Sequence, residues 1–86
     1  MPRISEFFGI IIAMYYNDHT PPHFHAIYGE HEAKIAIETF ETIEGKLPRR
    51  ALAMVLDWAA LHRRELASNW KKARRREPLK RIEPLT

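Results

Sequence analysis

Eighty-six residues leave room for one domain and one hydrophobic core. At 45% hydrophobic and 29% charged the composition excludes both a disordered chain and an integral membrane protein, and the absence of cysteine excludes a disulfide framework, a thiol nucleophile and a thiolate metal site. The net charge of +3 conceals a division: residues 1–47 carry three Lys/Arg against seven Asp/Glu (−4), and residues 48–86 carry eleven against four (+7).

The first strong pattern is apolar. Phe7 to Tyr16 spans 10 residues, about half of what a bilayer crossing needs, and it lacks the basic flank and small-residue cleavage site of an export signal. The expectation is a cytoplasmic protein without membrane association. Within this run, residues 9–16 are rich in β-branched and aromatic side chains on both alternate faces, which predicts a central strand covered on both sides. Asn17 to Pro22 ends it, because turn formers and two prolines cannot extend a ladder. Residues 23–28 (His-Phe-His-Ala-Ile-Tyr) resume as a second strand, Gly29-Glu30-His31 turns the chain, and residues 32–38 alternate with period two as a third. A short fourth extended piece over residues 40–43 ends at Glu44-Gly45-Lys46. The predicted architecture of residues 1–47 is an antiparallel meander of three or four strands.

From Pro48, well suited to a first helical position, no Gly or Pro occurs until Pro78, so residues 48–77 predict one long helix. Leu52, Val55, Leu56 and Ala59 form an apolar stripe, continued by Leu66, Trp70 and Ala73. Arg63 interrupts it. Either the helix bends near His62-Arg63 or its second half packs on something other than the sheet. An unpaired charge on that stripe would be costly, so Arg63 must pair, bend the helix or reach a ligand. Because a six-residue strand reaches only about 20 Å, a continuous helix of about 42 Å would overhang the sheet and leave Leu66, Trp70 and Ala73 wet unless a second copy covered them. A homodimer is one expectation; fold-back of the helix is the competing one. Trp58, His62, Glu65 and Asn69 make a polar-aromatic stripe beside the apolar one, expected as a core flank with Trp58 half-buried. Residues 78–86 are too proline-rich for helix and are expected as an extended tail, with Ile82 and Leu85 available to dock. The whole is an α+β domain, a small antiparallel sheet packed against a C-terminal helix.

Four of the five histidines fall between positions 19 and 31. On a strand His23 and His25 point to one face while Phe24 and Ala26 point to the other, so two imidazoles converge. Metals use that geometry, with His19, Asp18 or Glu30 available as a third ligand, and zinc is the candidate ion. The same residues suit acid-base chemistry, since imidazole titrates near neutral pH and a neighbouring carboxylate fixes its tautomer. His23, His25, Asp18, His19 and Glu30 are therefore the candidate catalytic group, as in a metal-independent ribonuclease, and His23, His25 and His19 the candidate metal set. The alternative is that these histidines only hydrogen-bond locally or line a ligand face, in a module without catalysis. In the basic half, Arg63, Lys71, Lys72, Arg74, Arg75 and Arg76 spread round several helix faces, a distribution that clamps phosphates by charge without reading bases. An acidic protein partner or a simple solvated helix end would account for the same residues.

The stretch Asp18-His19-Thr20-Pro21-Pro22-His23-Phe24-His25-Ala26, followed by Tyr28-Gly29-Glu30, Gly45-Lys46-Leu47-Pro48, Trp58, His62, Glu65-Leu66 and Asn69-Trp70, resembles the small bacterial family known as domain of unknown function 4160. The resemblance covers nearly the whole chain and is weakest beyond Trp70. It implies a gene beside a second small family and a place in a toxin-antitoxin-type pair, hence a small operon-encoded partner protein; it assigns no catalytic residue. Together with the basic half, it leads to the expectation of a toxin-antitoxin-type component that binds or acts on nucleic acid.

Overall fold

The computed structural model describes residues 2–86. Five strands, β1 (Arg3–Phe7), β2 (Ile10–Ala13), β3 (His23–Tyr28), β4 (His31–Ala36) and β5 (Thr42–Gly45), form one antiparallel sheet in sequential order, followed by α1 (Arg49–Leu61) and α2 (Arg63–Arg74). The class is α+β, as expected, but with five strands and two helices in place of three or four strands and one long helix. The additional strand is β1, five residues long with Arg3 and Glu6 on it, and it is joined to β2 by a tight turn at Phe8-Gly9 whose φ angles are 47° and 79°. Gly9 belongs to this turn, so the strand expected over residues 9–16 is the shorter β2, the second arm of a hairpin.

Register divides the residues between the two faces. Phe24 and Ile35 pair across β3 and β4, and Ile12 pairs with Ala26, which pairs with Ala33; with Phe7 and Ile10 these side chains face the helices. Trp58 of α1 is fully buried against them, its ring 5.5 Å from that of Phe7 and 5.9 Å from that of Phe24. The opposite face carries His23, His25, Glu32 and Lys34.

The helix breaks without Gly or Pro. His62, at φ −126° and ψ 28°, leaves helical conformation, and its N–H donates to the Ala59 carbonyl. Arg63 supplies the reason: its guanidinium donates to the carbonyls of Ile37 (3.2 Å) and Glu38 (2.9 Å) and lies 4.2 Å from the centre of the Phe40 ring. The charge on the apolar stripe is thus satisfied by the β4–β5 connection, and α2 starts in a new direction. Leu66, Trp70 and Ala73 are then buried within the same chain. Fold-back is the observed solution, and the overhang that motivated a homodimer is absent.

The stripe of Trp58 and Asn69 is also deeper than expected, both being buried. What covers it is the tail. The Trp58 Nε1–H donates to the Glu83 carbonyl at 2.7 Å, and the Asn69 amide donates to the Lys80 carbonyl (2.8 Å) while accepting from the Lys80 N–H (3.0 Å). Ile82 is buried, and its N–H bonds to the Ile4 carbonyl beside β1. Trp58 and Asn69 thus hold residues 78–86 down, while His62 and Glu65 of the same stripe pair with each other at 2.6 Å.

Candidate metal centre

Two local features place the histidines. Pro21 and Pro22 deliver the chain to the start of β3, and strand alternation then sends Phe24 to the core and His23 and His25 to the other face. Despite lying on that face, their residues are only 4% and 5% exposed. Asp18, from the loop after β2, lies over them: its Oδ2 is 3.0 Å from His23 Nε2 and 2.9 Å from His25 Nε2. The loop is held by the His19 backbone N–H, which donates to Asp18 Oδ1 at 3.1 Å.

The outer ring nitrogens are engaged as well. His23 Nδ1 is 2.8 Å from the Pro21 carbonyl oxygen, and His25 Nδ1 is 3.0 Å from Glu32 Oε2. Glu32 pairs with Ile27 across the hairpin, one diagonal from His25, and its backbone is locked because its carbonyl accepts from the Lys46 N–H at 3.1 Å where β5 ends. Gly45 is required there: it has φ 80°, and any Cβ would collide with the Glu32 carbonyl oxygen. Tyr15 packs edge-on against His25 with ring centres 4.4 Å apart, and Trp70 of α2 stands 5.4 Å from His23.

All four imidazole nitrogens therefore face oxygen acceptors. A neutral imidazole has one N–H, so two neutral rings satisfy only two of the four positions. The Pro21 carbonyl can only accept, which fixes the His23 proton on Nδ1; Glu32 favours the same tautomer in His25. Both Nε2 lone pairs then converge on Asp18 Oδ2 with nothing positive between them. Either extra protons or a cation must occupy that point. Burial by itself would raise the Asp18 pKa, but with the extra protons on the imidazoles the hydrogen bond from His25, the backbone N–H of His19 and the charges of His23 and His25 outweigh it and hold the carboxyl below its ordinary value. The Tyr15 phenol is raised, by burial first and then by the charges of Glu32 and Asp18.

Among the described residues, Asp18, His23 and His25 are the one group of three with ligand atoms close enough to share an ion, all within 4.8 Å of one another. The third member is Asp18, not His19: His19 is exposed and contributes its backbone. Glu30 is exposed in the β3–β4 turn, at the far end of the strand from His23. Glu32, Tyr15 and Trp70, which sequence reasoning did not place here, are the supporting shell. Of the basic residues, Arg63 is occupied by the Ile37 and Glu38 carbonyls, and Arg76 donates from Nη2 (2.6 Å) and Nε (3.2 Å) to the Asn17 side chain when its amide oxygen faces the guanidinium. Lys71, Arg74 and Arg75 are exposed and Lys72 is half-buried. No helix among the described residues is long and apolar enough to cross a membrane.

The family model described as domain of unknown function (DUF4160) matches residues 9–71, a span that includes Asp18, both histidines, Glu32 and Trp70. No curated protein and no solved structure matches the chain.

Proposed function

The chain belongs to the domain of unknown function (DUF4160) family, and from the arrangement of its Asp18-to-His25 segment we propose that it is a divalent metal-binding module. The carrying observation is the convergence of two Nε2 atoms and one carboxylate oxygen, with each Nδ1 backed by a carbonyl or carboxylate. Carboxylate–histidine–metal relays have that second layer, which sets the tautomer and aims the ring. Two imidazoles and one carboxylate suit zinc or ferrous iron and leave coordination positions open. Ligands of a tetrahedral ion at about 2.0–2.1 Å stand about 3.3 Å apart, so from ligand atoms that lie within 4.8 Å of one another the two imidazoles would close toward the ion while Asp18, now 2.9–3.0 Å from each, withdraws slightly.

A ribonuclease using His23 and His25 as acid and base is less well supported, because both rings are covered and every ring nitrogen already faces an oxygen. The test is calorimetric titration of zinc into the untagged chain. One zinc per chain, lost on Asp18→Asn and on His23→Ala, supports the module; binding unaffected by either change rejects it.

Nucleic-acid binding is a second reading, favoured by the exposed cations at the end of α2. In a toxin-antitoxin-type pair this end would be the contact for RNA or DNA. Four free cations, Lys71, Lys72, Arg74 and Arg75, predict a slope of log affinity against log salt near −3.6 on duplex DNA, from about 0.9 per neutralised phosphate. Filter binding across a salt series checks it. A slope near zero would leave these residues as a solvated helix end.

A further inference from the structure

The two edges of the sheet differ. Beside β1 the tail lies against the strand, with the Ile82 N–H bonded to the Ile4 carbonyl at 2.7 Å, whereas β5 pairs only with β4, and among the described residues no segment pairs with its outer edge. All four residues of β5 are exposed, and Ile43 keeps 44% of its surface. A strand edge of this kind presents N–H and C=O groups to any extended chain that can lie beside it. We propose that β5 is a docking edge for an extended, basic segment of another protein, which adds to the sheet as a sixth strand. The reading needs neither the metal nor the cations of α2.

Two features beside the edge select that partner. The first is a pocket of about 360 Å³ at the start of β5, with Pro21, Pro22, Ala36 and Ile43 as its apolar walls, so one apolar side chain of an added strand has a seat there. The second is charge. Glu38 and Glu41 line the same pocket, and their carboxylates form no ion pair among the described residues. The neighbouring cations are engaged or lie further on: Lys34 pairs with Glu44 at 3.2 Å, Arg63 is held by the Ile37 and Glu38 carbonyls, and Lys46 follows the far end of β5. A cationic strand is therefore favoured, since opposite charges facing each other across a strand pair stabilise it and like charges oppose it. The same rule disfavours a second copy adding β5 to β5, which would bring the acidic side chains of both copies onto one seam. The chain's own basic extended residues, Lys80 and Arg81, belong to the tail, which is already held at the opposite edge.

The experiment titrates a peptide with blocked ends, Lys-Val-Lys-Leu-Lys-Val-Lys, into the ¹⁵N-labelled full chain and follows the backbone amide signals and their exchange with solvent. Strand addition should shift the amides of residues 42–45 and slow the exchange of those that face outward. Reversing the two pocket charges together, Glu38→Lys with Glu41→Lys, should weaken binding at least about tenfold, because two favourable charge contacts become repulsive. Both residues bond within the domain through their backbone alone, so the fold is kept. Two N-methylated peptides, blocked on the odd or on the even amides, keep the charge; at least one should lose about tenfold or more in affinity, because an added strand pairs along one side through its N–H groups. Equal binding of the parent and both methylated forms would reduce the contact to charge and overturn the docking edge, as would binding indifferent to the charge reversal. Shifts elsewhere with none at residues 42–45, or no binding up to about 1 mM, the weak end of specific association, would also overturn it. A dimeric free chain whose β5 amides are already protected would assign the edge to a second copy and overturn it likewise.

Discussion

Replacing Trp58 by Ala should destabilise the domain by about 3–5 kcal/mol, the range measured for aromatic truncations in tight cores. Trp58 is the largest fully buried side chain, it joins Phe7 of β1 to Phe24 of β3, and its indole N–H holds the tail through the Glu83 carbonyl. Truncation therefore opens a cavity, strands a carbonyl and loosens residues 78–86 in one step. A domain of this length has a total stability on the order of 4–13 kcal/mol, so the loss is a large share of it, and a fall in Tm of about 12 °C or more is expected by calorimetry. Trp58→Phe keeps most of the volume and gives up the hydrogen bond, so its cost should be about 1 kcal/mol. Equal effects of the two substitutions would mean that the hydrogen bond, and not the packing, dominates.

Removing a metal ligand should have the larger functional effect. At 100 times the dissociation constant, zinc should stabilise the natural sequence by about 2.7 kcal/mol, a rise in Tm on the order of 10 °C. His25→Ala should abolish that rise, since it deletes one of the two nitrogen ligands. Glu32→Gln deletes no ligand, but it weakens the group that orients His25 and should cost about 10–100-fold in zinc affinity. Thermal melts across a zinc series separate the two: His25→Ala is flat, and Glu32→Gln follows the natural curve displaced to higher zinc. If Glu32→Gln matched the natural sequence, the outer layer would have no part in the site.

Part of this centre is legible in the residues themselves. His-Phe-His on a strand after two prolines already fixes two imidazoles on one face, and Asp18 stands close enough in sequence to reach back over them. Glu32 is not legible in the same way, because its position depends on hairpin register: it meets His25 only because Ile27 pairs with Glu32, one diagonal away. A register shift of one residue would have sent it to the core face. The helix break has no glycine or proline to mark it; the signal was Arg63 on an apolar stripe, and its partners, the Ile37 and Glu38 carbonyls, lie 26 and 25 residues earlier. Trp58 and Asn69 read as a half-wet flank from helical spacing alone. The tail that covers them acts through Glu83 and Lys80 backbone groups, which no side-chain pattern announces. Strand β1 escaped because five residues with Arg3 and Glu6 among them carry little hydrophobic signal, and the turn that defines it places Phe8 at a positive φ, where Gly or Asn is the usual occupant.

Binding of a cation between the two Nε2 atoms requires each Nδ1 to be the protonated nitrogen, donating to the Pro21 carbonyl in His23 and to Glu32 in His25. Imidazole ¹⁵N resonances of the labelled chain, recorded before and after one equivalent of zinc, test it at the atoms concerned. The Nε2 signals of His23 and His25 should move to metal-bound positions while each Nδ1 keeps its proton, and those of His19, His31 and His62 should stay where they were. Coordination through Nδ1, or no change at His23 and His25, would contradict it.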